Sequence, residues 1–388
     1  MLARRMDKLG TETAFMVLAK ARELEAQGKE IVHLEIGEPD FETPKHIRDA
    51  AKEALDQGYT HYVPTPGLTE VRQSIARNVG ERRGIDVDWR QVVVTPGAKP
   101  IMFFTILALA EEGSEVIYPD PGFPIYESMI KFCGAKPVPM PLLEEKGFQP
   151  DLARLAKDIN DKTRLIILNF PHNPCGSTVD AEGIETIASI VREWPNLCVM
   201  TDEVYKDILY EGSHYSIASV PGMMERTIIL DGLSKSYAMT GWRLGYGVFP
   251  EFLTEHIVKL AVNSVSCATA FSQRAIIAAL EGPQDSVVAM REEFLARRDV
   301  LLAGLRTIPG IRCPMPQGAF YAFANVAGTG LSSKEFEERA LNEAGVALLS
   351  GSAFGAHGQN YVRISYANSQ ANLKKAVDRL KAFVKKIG

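Results

Sequence analysis

The stretch LDGLSKSYAMTGWRLGYG, residues 230–247, decides how the rest of the chain is read. Residues 227–230 are short, apolar and rich in β-branched side chains, the pattern of a strand buried on both faces. Asp231-Gly232 breaks the run, Ser234 and Lys235 open the loop beyond it, and Arg243 follows downstream. A loop at the carboxyl end of a strand is where open α/β sheets hold their ligands. One hydroxyl and two cations suit an anion there, and Gly241 and Gly245 permit close approach of backbone. A solvated loop fits the same residues equally well, since lysine is usually exposed.

Similar units flank this stretch. Residues 115–118, 164–168 and 197–201 also read as short buried strands separated by helical or mixed segments, which predicts a mostly parallel sheet covered by helices. Their ends carry distinct groups: Phe123 in PGFP, Asn173 in NFPHNP, and Asp202 and Tyr205 in DEVY. Residues 92–94 form a further strand, and Thr95-Pro96-Gly97-Ala98-Lys99 leads into a nearly all-apolar helix over 101–111, with Pro100 suited to its first turn. The amides of Gly97, Ala98 and Lys99 would face a phosphate there, with the helix dipole favouring its charge.

Nearer the amino terminus, Phe15, Val17, Leu18, Ala21 and Leu24 stand at helical spacing, which predicts an amphipathic arm helix over 12–27. Residues 31–36 read as a strand leading to Gly37, and helices are expected over 45–57 and 68–83, with Tyr59 and Tyr62 in the loop between them. A long helix over 283–307 precedes two strands of another layer, 318–321 and 361–366. At 388 residues the chain is long for one core. We expect a large domain over 48–282, with 1–47 as arm and part of a small α+β domain, and 283–388 as interdomain helix and the remainder of it.

Composition narrows the function classes. A hydrophobic share of 46%, a charged share of 23% and a net charge of -5 argue against disorder and leave no electrostatic footprint for nucleic acid or an anionic membrane. No partner of either kind is expected. Cys133, Cys175, Cys198, Cys267 and Cys313 are scattered without a C-x-x-C pair, which suits reduced thiols in a cytoplasm better than disulfides or zinc. Arg4, Arg5, Asp7 and Lys8 interrupt any secretory apolar region, and the apolar run 101–110 is far short of a bilayer span. The histidines show no H-x-x-x-H spacing, so no metal is expected.

Eight motifs then carry a resemblance that no single one would establish. They are LEIGEPDFETP (34–44), GYTHY (58–62), VVVTPGA (92–98), PDPGFPIY (119–126), NFPHNPCG (169–176), TDEVYKDILY (201–210), LSKSYAMTGWRLGY (233–246) and YVRISYA (361–367). In their order and spacing the chain resembles the class I/II aminotransferases of the pyridoxal-phosphate fold-type I superfamily, in the bacterial aspartate-aminotransferase-like branch. The resemblance implies an α/β large domain with a mostly parallel, seven-stranded-type sheet, a smaller α+β domain, and a cytoplasmic homodimer with shared active sites. It also implies ping-pong transfer of an amino group from an L-amino acid to a 2-oxo acid, with aspartate and 2-oxoglutarate the leading pair. Aromatic, alanine or other amino-acid specificity stays open, as does a lyase or synthase of the same fold, such as a carbon–sulfur lyase.

By the same resemblance, Lys235 holds pyridoxal 5'-phosphate as a Schiff base and later moves the substrate proton, for which burial and Arg243 would favour its neutral form. Asp202 pairs with the pyridine nitrogen, Asn173 and Tyr205 with the phenolic oxygen, and Phe123 stacks on the ring. The phosphate falls to Gly97, Ala98, Lys99, Ser234, Arg243 and, from the neighbouring subunit, Tyr62. Arg363 clamps the substrate α-carboxylate, helped by Gly37 and Asn173. Taken singly, Asp202 could instead cap a helix, Asn173-Pro174 could be a turn, Phe123 a core ring and Arg363 a solvated strand residue. Two features depart from the family pattern: Cys175 where threonine is commoner, and Lys99-Pro100 where small or polar residues are. If Lys99 reaches the site it favours a second carboxylate on the substrate; a solvated amine at a helix start is the alternative.

Overall fold

The strand before Lys235 lies inside a seven-stranded sheet in the computed structural model, which describes residues 2–387. In chain order the strands are β1 (Val32–His33), β2 (Val92–Pro96), β3 (Glu115–Asp120), β4 (Lys136–Pro141), β5 (Thr163–Asn169) and β6 (Cys198–Asp202). They continue with β7 (Thr227–Gly232), β8 (Leu244–Val248), β9 (Tyr321–Asn325), β10 (Val346–Ala347), β11 (Leu349–Ser350) and β12 (Tyr361–Ser365). The large sheet has the order β2-β8-β7-β6-β5-β3-β4 and is parallel except for β8, which runs antiparallel to both neighbours. A three-stranded antiparallel sheet, β11-β12-β9, stands beside it, and β1 pairs with β10.

Two strands of the large sheet escaped the sequence reading, each for a local reason. In β4, Pro137, Pro139 and Pro141 occupy alternate positions, so their missing N–H groups all fall on the outer edge. The intervening positions face β3, as Lys136 N and Leu142 N show by donating to Ser114 O and Asp120 O at 2.9 Å each. In β8, Gly245 and Gly247 mask the strand pattern. A Cβ at Gly245 would lie 2.4 Å from Ala98 N, so glycine is what lets the loop after β2 cross the strand.

The helices that position the site are α1 (Thr13–Ala26), α2 (Lys45–Asp56), α3 (Thr69–Arg83), α4 (Lys99–Leu109) and α5 (Pro124–Phe132). The fourth begins two residues before the expected 101, with Ala98 as N-cap and Pro100 in its first turn. The strand expected over 31–36 is reduced to Val32–His33. Beyond it the backbone serves β12 instead: Leu34 O accepts from Ser365 N at 2.8 Å, and Glu35 O accepts from the Arg363 side chain at 2.6 Å. The strand expected over 318–321 starts only at Tyr321, because Ala319 takes a left-handed φ of 56° that a strand cannot continue through.

Both faces of the large sheet are covered. Val93, Ile167 and Ile228 pack with Phe104 and Ile106 of α4 and with Leu253 and Ile257 of the helix Glu251–Val262. Val94, Ile229 and Val248 pack with Ile47, Val71 and Ile75 of α2 and α3 and with Ile276. A separate core joins the small sheet to the helices Asp285–Leu305 and Gln370–Ile387 through Phe294, Leu301, Phe320, Ile364 and Leu380. The apolar faces are thus spent on packing, and the polar strand ends are left to line a cleft. Among the described residues no helix is long and apolar enough to cross a membrane, and no group of three or more His, Cys, Asp or Glu could hold a metal ion.

Candidate active site

The carboxyl ends of β5, β6 and β7 open into a cavity of about 560 Å³, closed by segments 12–15 and 36–38 and by Tyr321, Phe354 and Arg363. Lys235 lies on the single helical turn Leu233–Ser236 that follows β7. Its Nζ donates to Gly37 O at 2.6 Å and sits 5.8 Å from the centroid of the Phe320 ring. Burial lowers the pKa of this amine to about 8; Arg363 and Arg243 push the same way, and Glu38 and Glu12 oppose.

Asp202 ends β6 on the cavity floor, where Tyr126 donates its hydroxyl to Oδ2 at 2.5 Å. Burial raises this carboxyl to about 6, against the pull of the Tyr126 bond. The residues after it form turns over 204–207 and no helix, so the capping role weighed for Asp202 has no helix to cap. Asn173 receives Arg363 Nη1 on Oδ1 at 3.2 Å, and its own N–H donates to Asn169 Oδ1 at 3.0 Å. Tyr205 shares a hydroxyl–hydroxyl bond of 2.8 Å with Tyr321. Phe123 caps α5 and meets Tyr126 edge-on at 5.5 Å.

At the far end, Ala98, Lys99, Ser234 and Arg243 line one wall. Gly97 has φ +84°, and a Cβ there would lie 2.2 Å from Arg243 Nη2, so the guanidinium rests directly on glycine backbone. Arg363, on β12, is 5% exposed, which removes the solvated reading. Its guanidinium lies 4.5 Å from the Tyr321 ring centroid and 5.0 Å from that of Phe354. Nη2 reaches Glu35 O, and Nε is buried without a partner among the described residues.

Two expected residues are placed differently from the rest. Tyr62 is 91% exposed and does not line the cavity of its own chain. The amine of Lys99, for which a place in the site and a solvated position were both open, is half exposed and pairs with Glu12 at the cavity, 5.5 Å over the Phe123 ring. Sequence reasoning missed Glu12, Tyr126, Asn169 and Tyr321, which all line the cavity. Tyr126 could have been found, since it stands one helical turn after Phe123 in the same motif; Glu12 left no signal beyond its place in the arm.

A polar network ties the residues around the ends of β6 and β7 together. Arg83 Nε donates to Glu203 at 2.9 Å, Lys206 Nζ to Asp231 at 3.0 Å, and Ser236 to Asp207 at 2.5 Å. Glu203 adjoins Asp202, and Ser236 adjoins Lys235. Buried pairs of this kind add little net stability, because desolvation offsets their attraction, but losing one partner strands the other.

A cleft at the strand ends of a doubly covered α/β sheet, lined by a half-buried amine, a buried acid and a buried guanidinium, has the form of a small-molecule site of an α/β enzyme. The model of the aminotransferase class I and II family matches residues 29–380, and the chain belongs to that family. It is 40% identical over 368 residues to an aspartate aminotransferase of Pyrococcus horikoshii, with 93% of each chain covered. It is 41% identical over 365 residues to aromatic-amino-acid aminotransferase 2 of Thermococcus litoralis, again with 93% of each covered. The solved aspartate aminotransferase of Thermus thermophilus with maleate superposes with a TM-score of 0.95 at 35% identity over 99% of both chains.

Proposed function

We propose that the cavity holds pyridoxal 5'-phosphate and that the enzyme transfers the amino group of L-aspartate to 2-oxoglutarate in two alternating half-reactions. When bound, this cofactor supplies a ring that takes up the electrons left when the substrate α-proton departs. The protein's own residues do the rest. Lys235 takes the α-proton and returns it, a task suited to an amine whose pKa is near 8. Asp202, held by Tyr126, would pair with the ring nitrogen, Asn173 and Tyr205 would bond the ring hydroxyl, and Phe123 would stack on the ring; all four line the cavity. Ser234, Arg243 and the amides of Gly97, Ala98 and Lys99 receive the phosphate. Arg363 takes the substrate α-carboxylate beside Gly37 and Asn173, and its unpartnered Nε is the donor that fits an incoming anion.

The observation that carries the substrate choice is the count of cations. Lys99, Lys235, Arg243 and Arg363 line the cavity. The first-named, paired with Glu12, is the one not assigned once the other three have proton transfer, phosphate and α-carboxylate, and a side-chain carboxylate that took the place of Glu12 would use it. The relative solved with maleate, a four-carbon dicarboxylate, supports that reading. We further assign residues 48–282 to a large domain and 1–47 with 283–388 to a small one, in keeping with the β1–β10 pairing across the chain. The working form we propose is a cytoplasmic homodimer with Tyr62 of each subunit at the phosphate of the other, in keeping with its exposure.

A panel of amino donors against several oxo acids tests the assignment, with aspartate and 2-oxoglutarate expected to show the highest kcat/KM. Release of ammonia and pyruvate from cystathionine, with no transamination, would replace it with a lyase.

A further inference from the structure

Glu12 stands at the N-cap position of α1 yet makes no side-chain bond to its own helix. Glutamate is not among the favoured capping residues, and here its carboxylate turns into the cavity and pairs with Lys99 Nζ. The pair is sheltered unequally: the Glu12 side chain is 19% exposed and that of Lys99 50%. The arm carrying Glu12 is tied down on both sides. Gly10 N donates to Ser128 Oγ at 2.8 Å before it, and Val17, Ala21 and Leu24 are buried after it. Only the short span between these anchors faces the cavity, so Glu12 can change partners without the helix leaving its seat. Its charge also reaches Lys235 and Tyr321: burial lowers the Lys235 pKa and Glu12 partly opposes it, while burial raises the Tyr321 pKa and Glu12 adds slightly to the rise.

We infer that Glu12 is a built-in competitor for the substrate's side-chain carboxylate at Lys99, and that it sets the balance between dicarboxylic and neutral amino acids. The inference rests on the proposed role of Lys99. A dicarboxylic substrate must displace Glu12 or sit beside it as a like charge, and either penalises binding. An amino acid with an uncharged side chain leaves the pair intact. With Glu12 in place, the enzyme takes neutral and aromatic amino acids alongside aspartate. Without it, dicarboxylates gain and the neutral class does not.

The test is calorimetric binding to the holoenzyme of two unreactive acids, succinate and butyrate, which differ in the second carboxylate. Glu12→Gln should raise the ratio of succinate to butyrate affinity by roughly two- to fivefold, the scale of one exchanged, partly exposed ion pair. Lys99→Ala should collapse that ratio, and the double variant should match Lys99→Ala. Butyrate binding reports in each case that the protein is folded with its site intact. If Lys99→Ala collapses the ratio but Glu12→Gln leaves it unchanged or lowers it, Glu12 merely orients Lys99 and the inference falls alone. A double variant that behaves like Glu12→Gln would also overturn it, since Glu12 would then act without Lys99. If Lys99→Ala leaves the ratio unchanged, the substrate reading fails and takes the inference with it.

Discussion

Tyr126 donates its hydroxyl to Asp202 Oδ2 at 2.5 Å across 76 residues of sequence, with both side chains buried. The bond works against the burial that raises this carboxyl to about 6. Tyr126→Phe removes it and should raise the Asp202 pKa further, so the acidic limb of the kcat/KM profile moves to higher pH. Hydrogen bonds to charged groups contribute about 1.5–3 kcal/mol, so cofactor affinity near pH 7 should fall by roughly ten- to a hundredfold. A variant profile that superimposes on wild type would show that the bond does not hold the charge.

Asp202 also makes a stability prediction for protein stripped of cofactor. Its folded pKa is raised from 3.8 to about 6, so the stability linked to its protonated form is complete below pH 4 and is lost as pH rises through 6. Asp202→Asn should therefore be more stable than wild type at pH 8, by on the order of 2–3 kcal/mol. The gap should close toward pH 4. Urea midpoints at the two pH values measure it, and equal midpoints at pH 8 would contradict the burial argument.

Lys235→Ala should abolish turnover while the ring and phosphate contacts still bind cofactor. Loss of general acid–base transfer alone contributes about 10²–10⁴-fold. In cofactor-free wild type, the amine should react with an acylating reagent at a rate that rises with pH through about 8, where its neutral form takes over. Mass spectrometry of the labelled residue follows this directly. Near-normal transamination by the alanine variant would remove Lys235 from the mechanism.

Arg363→Lys should raise KM for every α-amino acid alike, by roughly tenfold or more, because a point charge cannot replace a planar fork. The same substitution leaves Glu35 O and Asn173 Oδ1 without their donors. Steady-state kinetics with aspartate, alanine and phenylalanine are the check. A defect confined to aspartate would move Arg363 to the side-chain pocket.

Tyr62 makes the dimer testable. Lys235→Ala and Tyr62→Asp homodimers should both be badly impaired, the second through a like charge beside the phosphate. In a mixed dimer one site collects both lesions and the other is whole. Co-refolding the two should recover activity approaching one wild-type site per heterodimer. Purified heterodimer with no gain over either parent would show that Tyr62 does not act across the interface.

What the sequence determined by itself was the short-range chemistry. Strand periodicity, glycine and proline punctuation, and the groups just past each strand end depend on neighbours a few residues apart, and they put Asn173, Asp202 and Lys235 beyond three strand ends; only the resemblance carried by eight motifs joined Arg363 to them, and all four line one cavity. They failed where a distant segment overrode the local pattern. Prolines hid β4 because only its edge position makes them tolerable, and glycines hid β8 because the Gly97–Ala98 loop crosses it. Tertiary structure alone decided that Lys99 meets Glu12, 87 residues away, and that Arg363 spends one nitrogen on Glu35, 328 residues away. Such pairs are set by which helix and strand ends the packed core brings together, and charge partners at that separation leave no periodicity to read.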